Sequence, residues 1–183
     1  MCQATSGVYK IFMEYLTLNN GVQMPMIGLG TWDMRGKQGK RSIREALEIG
    51  YCLIDTAQMY ENEAIIGTAV KESGIARSEV FLTTKLYRSC TSYHSAKVGI
   101  ERSLNTMQTD YIDLLLIHEP YEQSLEMYEA LKEAYQSGKL RAIGISNFDK
   151  SRYETFVQDC GIVPAINQVE SHVYFSQLGL KEC

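Results

Sequence analysis

The chain has 183 residues, 45% of them hydrophobic and 22% charged, with a formal net charge of -4, proportions that suit one globular domain with a single well-buried core. The acidic balance and three scattered histidines provide no basic face for a phosphate backbone, which excludes nucleic acid as an expected partner. No apolar stretch approaches the roughly 20 residues of a membrane helix and the N-terminus shows no signal-peptide pattern, so no membrane partner and a cytoplasmic location are expected.

Residues 1–13 share no pattern with the rest of the chain and are expected to be a disordered leader. Residues 14–183 are expected to form one domain. Tyr15-Leu16-Thr17-Leu18 and Val22-Gln23-Met24 flank Asn19-Asn20-Gly21, and the Asn-Gly pair favours a tight turn, so a small antiparallel hairpin is predicted first. Six short apolar runs come next, at 26–29, 51–54, 80–82, 111–117, 140–145 and 163–166. Between them, apolar residues recur at helical spacing: Ile43, Ala46, Leu47; Ile65, Ile66, Ala69, Val70; Ala96, Ile100, Leu104, Met107; Met127, Ala130, Leu131, Ala134; and Tyr153, Phe156, Val157, Cys160. Gly50, Gly74, Gly138 and Gly161 fall where four of these helices should stop. The strand-helix unit repeats about every 25–30 residues, long enough for the crossover that parallel strands need. A barrel and a doubly wound sheet both satisfy this much. The five cysteines are odd in number and never form a C-x-x-C pair, so reduced thiols are expected, and neither a disulfide framework nor a metal site.

The residues just past each apolar run carry the chemistry. Reading outward gives Gly30-Thr31-Trp32, Asp55, Lys85, His118, Ser146-Asn147 and Asn167-Gln168, groups suited to acid/base work and amide binding if gathered in one place. A parallel (β/α)8 barrel gathers them, because its strands all point one way and their C-terminal ends converge on one face. Taken singly, these residues have plainer readings. Asp55 and Lys85 read equally well as a structural ion pair, Tyr60 as packing, His118 as a satisfied core histidine, and Ser146-Asn147 as the N-cap of a helix starting near Asp149.

The densest motif is Asp55-Thr56-Ala57-Gln58-Met59-Tyr60-Glu61-Asn62-Glu63. It resembles the aldo-keto reductase signature, an aspartate and a tyrosine separated by four residues and followed by Asn-Glu. The resemblance continues through Gly28-Leu29-Gly30-Thr31-Trp32, Thr83-Thr84-Lys85-Leu86, Asp113-Leu114-Leu115-Leu116-Ile117-His118, Gly144-Ile145-Ser146-Asn147-Phe148 and Asn167-Gln168-Val169-Glu170. It implies an α/β fold, a (β/α)8 TIM barrel that is incomplete here, with an N-terminal hairpin and about six βα units.

The implied reaction is the NADPH-dependent reduction of a small aldehyde or ketone to an alcohol. The implied catalytic residues are Asp55, Tyr60, Lys85 and His118. The alkoxide left by hydride transfer needs a proton, so Tyr60 is the expected donor. Lys85 is expected to lower its pKa, Asp55 to keep Lys85 charged and oriented, and His118 to hydrogen-bond the substrate oxygen. Gly30, Thr31, Asp55, Ser146, Asn147 and Gln168 are the implied cofactor-binding residues. Trp32, Tyr60, Tyr87, His118 and Glu119 are the implied substrate contacts, Glu119 departing from the aromatic residue that many family members place after the histidine.

A closed barrel has eight strands and the sequence offers six, so the part expected to be absent includes the family's contacts to the adenosine phosphate. The isolated chain is accordingly expected not to turn over, and to self-associate through open barrel edges. The competing expectation is an inactive, truncated reductase-like barrel acting, if at all, as a binding or interaction protein.

Overall fold

The computed structural model describes residues 13–180. The expected leader therefore lies, apart from Met13, outside the described residues. The hairpin forms as its sequence predicts: β1 (Tyr15–Thr17) pairs antiparallel with β2 (Gln23–Pro25). Its turn is tied by Gly21 N to Leu18 O at 2.9 Å. Two turn side chains then latch the hairpin to distant chain. The Asn20 amide donates to Arg141 O at 2.9 Å, and the Asn19 amide to Val163 O and Pro164 O, both at 3.3 Å.

Six parallel strands in sequential order make the main sheet: β3 (Leu29–Gly30), β4 (Leu53–Asp55), β5 (Phe81–Leu86), β6 (Ile112–Ile117), β7 (Leu140–Ser146) and β8 (Asn167–Gln168). Helices α1 (Gly36–Glu48), α2 (Glu63–Ser73), α3 (Tyr93–Met107), α4 (Ser124–Gln136) and α5 (Lys150–Asp159) alternate with them. This is the curled sheet of an incomplete (β/α)8 barrel. Gly50, Gly74, Gly138 and Gly161 all have positive φ, as the predicted helix stops require.

Side chains alternate along each strand, and the two faces of the sheet become two separate clusters. Outward residues Leu82, Leu86, Leu115, Ile117, Ile143 and Ile145 meet the helices in the large cluster that holds the predicted helix faces. Inward residues Leu53, Phe81, Leu114, Leu116 and Ala142 form a smaller cluster, capped from the hairpin side by Leu18, Val22 and Met24. The same parity sets the functional ends. Asp55 follows Leu53 by two, Lys85 follows Phe81 by four, His118 follows Leu116 by two, and Ser146 follows Ala142 by four, so all four belong to the inward face.

Three expectations need correction. Met26 and Ile27 are each 62% exposed, and the first ladder is only Leu29–Gly30. The chain at Met26 still belongs to the hairpin, its N–H bonding Glu14 O at 2.9 Å. The last ladder lies at Asn167–Gln168, beyond the run 163–166, because Pro164 has no N–H to donate. That run still borders β7, with Ala165 N to Ile143 O at 2.8 Å and Ile145 N to Ile166 O at 2.9 Å. Among the cysteines, Cys90 and Cys160 are free and buried, whereas Cys52 is a disulfide cysteine, so the all-thiol expectation fails there.

At the N-terminal ends of the strands, buried Asp113 accepts from Arg77 at 2.7 Å, Arg141 at 2.6 Å and Leu82 N at 2.9 Å. It locks β5, β6 and β7 with two cations on one carboxylate. Among the described residues no helix is long and apolar enough to cross a membrane.

Candidate active site

An open cleft of about 480 Å³ lies over the C-terminal ends of the strands, and Gly30, Asp55, Tyr60, Lys85, His118, Ser146, Asn147 and Gln168 all line it. Strand ends deliver Asp55, Lys85 and Ser146, and His118 sits one residue past β6. Tyr60 arrives on a single 3-10 turn, Gln58–Tyr60, between β4 and α2.

Lys85 is almost wholly buried, and its ammonium donates to Asp55 Oδ1 at 2.5 Å and to Thr56 O at 3.0 Å. Burial pushes its pKa down, and the Asp55 carboxylate works against that push. The same ammonium stands 5.3 Å from the centroid of the Tyr60 ring. The Tyr60 ring meets His118 at 5.8 Å and Trp32 edge-on at 4.9 Å, while the Tyr87 ring lies 6.3 Å from His118. The tetrad is therefore one contiguous group.

The expected acidification of Tyr60 is not found. Burial pushes the phenol above its ordinary value, and the Asp55 and Glu119 carboxylates push it further. Lys85 is already paired with Asp55, so its charge is largely balanced where the phenol would feel it. His118 moves the other way, down to about 4, through burial and then the Lys85 charge. Its imidazole is thus neutral at ordinary pH, with one N–H to donate. Buried Nδ1 has no hydrogen-bond partner among the described residues.

Gln168 Nε2 donates to Asp55 Oδ2 at 2.9 Å, joining β8 to β4 across the cleft. Ser146 Oγ donates to Gln168 O at 2.9 Å. The Asn147 amide donates to His118 O at 3.1 Å and to Glu119 Oε1 at 3.0 Å, from a left-handed backbone with φ 64. Among the described residues this leaves Asn147 Oδ1, Gln168 Oε1 and the Ser146 lone pairs as acceptors, and the second Gln168 amide proton as a donor. The N-cap of α5 is Asp149, which accepts from Arg152 N at 2.9 Å, so the N-cap reading of Ser146-Asn147 is corrected.

Other predicted residues lie apart from the cleft wall. Thr31 is fully buried and both its hydroxyl and its N–H bond Asp55 O, at 2.8 and 3.0 Å. Trp32 is 60% exposed at the rim, and Glu119 is exposed against Asn147.

Sequence reasoning gave no role to Asn62 and Glu63, although both stand in the signature. Buried Asn62 accepts from Thr56 Oγ1 at 2.6 Å and donates to Thr31 O at 2.8 Å and Met34 O at 3.2 Å, fastening the Trp32 loop to the end of β4. Buried Glu63 accepts from Thr84 Oγ1 at 2.8 Å. Val169 and Glu170 also line the cleft, and their place directly after Gln168 was the available signal.

The sequence matches the family model described as "Aldo/keto reductase family" over residues 26–183. It is 41% identical over 171 residues to "Glyoxal reductase" of Bacillus subtilis (strain 168), covering 92% of this chain and 62% of that protein. It is 38% identical over 165 residues to "Morphine 6-dehydrogenase" of Pseudomonas putida, covering 88% of this chain and 56% of the relative. The chain thus spans about three fifths of the length of the curated relatives it matches. Among solved structures, an aldo/keto reductase from Brucella melitensis superposes with a TM-score of 0.91 at 37% identity, over 93% of this chain and 68% of the other. A Bombyx mori aldo-keto reductase in complex with NADP gives a TM-score of 0.82 at 31% identity, over 88% and 59%.

Proposed function

This chain belongs to the aldo/keto reductase family, and from that premise we propose that its cleft serves the NADPH-dependent reduction of small aldehydes and ketones to alcohols. The observation that carries the reading is the contact of Asp55, Lys85, Tyr60 and His118 at one end of the sheet, with the Lys85–Asp55 pair at 2.5 Å.

Ser146, Asn147 and Gln168 fit a nicotinamide carboxamide, which needs both an acceptor and a donor partner, and their unengaged atoms offer both. The bound nicotinamide would supply the hydride to the carbonyl carbon. Tyr60 would give its proton to the carbonyl oxygen as negative charge develops there. Its raised pKa keeps that proton in place throughout the neutral range. His118, neutral, would donate its N–H to the same oxygen and fix its direction without placing a second charge in the cleft. Lys85 would stand beside the phenol, 5.3 Å from the ring centroid, and Asp55 holds the ammonium oriented against its own desolvation. Gly30 leaves open space at the cleft wall, with nothing within 4 Å of where a Cβ would stand. Trp32, Tyr87 and Glu119 would bound the substrate mouth, Glu119 making it more polar than an aromatic residue would. Self-association through the edge strands β3 and β8 belongs to the same proposal.

The test replaces Tyr60 by Phe, which keeps the ring and removes the acid, in a full-length context with the barrel closed. Aldehyde-dependent loss of nicotinamide absorbance should slow by about 10²-fold or more, in the range of general acids. NADPH affinity, read by fluorescence titration, should stay within about twofold of the parent on the same argument. A variant that turns over as fast as the parent would overturn the assignment.

A further inference from the structure

The turn that carries Tyr60 is short, and one of its own side chains holds it. Gln58–Tyr60 is a single 3-10 turn closed by Tyr60 N to Ala57 O at 3.0 Å and Glu61 N to Gln58 O at 3.2 Å, and it exits through left-handed Glu61 at φ 55. Such an isolated turn has no neighbouring turns to stiffen it. Gln58 supplies the stiffness from outside. Its amide nitrogen donates to Gly99 O and to Ser103 Oγ, both at 3.0 Å. Its amide oxygen accepts from Arg102 Nη2 at 3.0 Å, from Tyr87 N at 3.3 Å and from the Cys90 thiol at 3.4 Å.

These five contacts reach two different elements. Gly99, Arg102 and Ser103 lie on α3, while Tyr87 and Cys90 lie in the loop after β5. The approach to α3 depends on Gly99 having no side chain. A Cβ there would stand 2.6 Å from Cys90 Sγ, 3.2 Å from Leu86 Cδ2 and 3.4 Å from the Gln58 amide nitrogen. The same stretch of α3 also supports the lysine strand. Ser103 and Arg102 both favour the charged form of Glu63, Glu63 accepts from Thr84, and Thr84 precedes Lys85.

We propose that Gln58 is a positioning residue, clamping the Tyr60 turn to α3 and to the Tyr87 loop so that the phenol is held beside Lys85 and His118. The proposal rests on the reading of Tyr60 as proton donor. It assigns Gln58 no contact with substrate or cofactor. Its effect should therefore appear in turnover and in the surroundings of the Tyr60 ring, with substrate binding left alone.

The test compares Gln58→Leu, which removes all five contacts, with Gln58→Glu, which keeps the accepting oxygens and loses the amide donor, in the full 183-residue chain. The expected result for Gln58→Leu is a fall in kcat of about 10- to 100-fold, the scale of an ångström-sized misplacement, with KM within about twofold. Gln58→Glu should recover part of that loss. In parallel, chains labelled with [13Cζ]tyrosine are compared by NMR, the Tyr60 signal being identified with Tyr60→Phe. In Gln58→Leu the Tyr60 signal should move or broaden while that of Tyr128 holds. An unmoved Tyr60 signal, or a kcat within about twofold of the parent, overturns the proposal. Should the parent chain show no carbonyl turnover, as expected of the isolated chain, the reductase reading stands untouched and the NMR comparison alone decides on Gln58. Should Gln58→Leu fail to fold, Ser103→Ala takes its place, with a smaller displacement of the Tyr60 signal expected and an unmoved signal overturning the idea.

Discussion

His118 has its pKa lowered to about 4 from an ordinary value of 6.5 by burial and by the Lys85 charge, and this makes folding stability depend on acid. The unfolded chain binds a proton at this residue that the folded chain refuses. Stability contributed by neutral His118 is therefore whole above pH 6.5 and is lost as pH falls towards 4. The loss should be on the order of 1–2 kcal/mol, after allowing for water in the open cleft. Denaturant titrations across that window should show the slope, and His118→Gln should flatten it. An equal slope in the variant would place the sensitivity elsewhere. Asp55, Lys85, His118 and Ser146 were readable in the sequence because each stands just past or at the end of an apolar run, which is a one-dimensional signal. Gln58 and Asn62 were not. Their meaning lies in bonds to chain far away, Gly99 and Ser103 for one and Thr31 for the other, and no local pattern encodes those partners.

At the level of elements, β7 and the chain leading into β8 approach more closely than side chains allow. A Cβ on Gly144 would stand 2.6 Å from Ile166 O and 2.8 Å from Leu116 Cδ2. Gly144→Ala must push the segment at Ile166 outward, and the cost should be about 1–3 kcal/mol, as for other overpacked cores. The displacement would also loosen the Ser146–Gln168 and Gln168–Asp55 bonds, at 2.9 Å each, so NADPH affinity should fall with stability. A urea midpoint and an NADPH titration equal to those of the parent would show that the strands accommodate the methyl group. Helix positions were legible in the sequence because a 3.6-residue period and a following glycine mark them. The two outermost strands were less so. An apolar run records burial, whereas a ladder needs N–H groups on a partnered edge, and Pro164 and the hairpin bond of Met26 divert those.

For the whole molecule, the sheet has an edge at β3 and another at β8, and exposed apolar side chains lie near both. Met26 and Ile27 are 62% exposed beside the first, and Val173 and Tyr174 are 90% and 93% exposed after the second. Unpaired strand edges with apolar flanks favour pairing with another chain. Sedimentation should show apparent mass rising with protein concentration, and Val173→Ser with Tyr174→Ser should reduce the rise. A strictly monomeric parent across the range would remove self-association from the proposal. The hairpin latch has a consequence of another kind, in the timing of biosynthesis. Asn19 leaves the ribosome early, yet the Val163 carbonyl that it binds is made 144 residues later, on the order of ten seconds at ordinary elongation rates. For that interval the nascent hairpin can cover only the inner face of whichever strands already exist. Its polar fastening is therefore among the last contacts of the molecule to close.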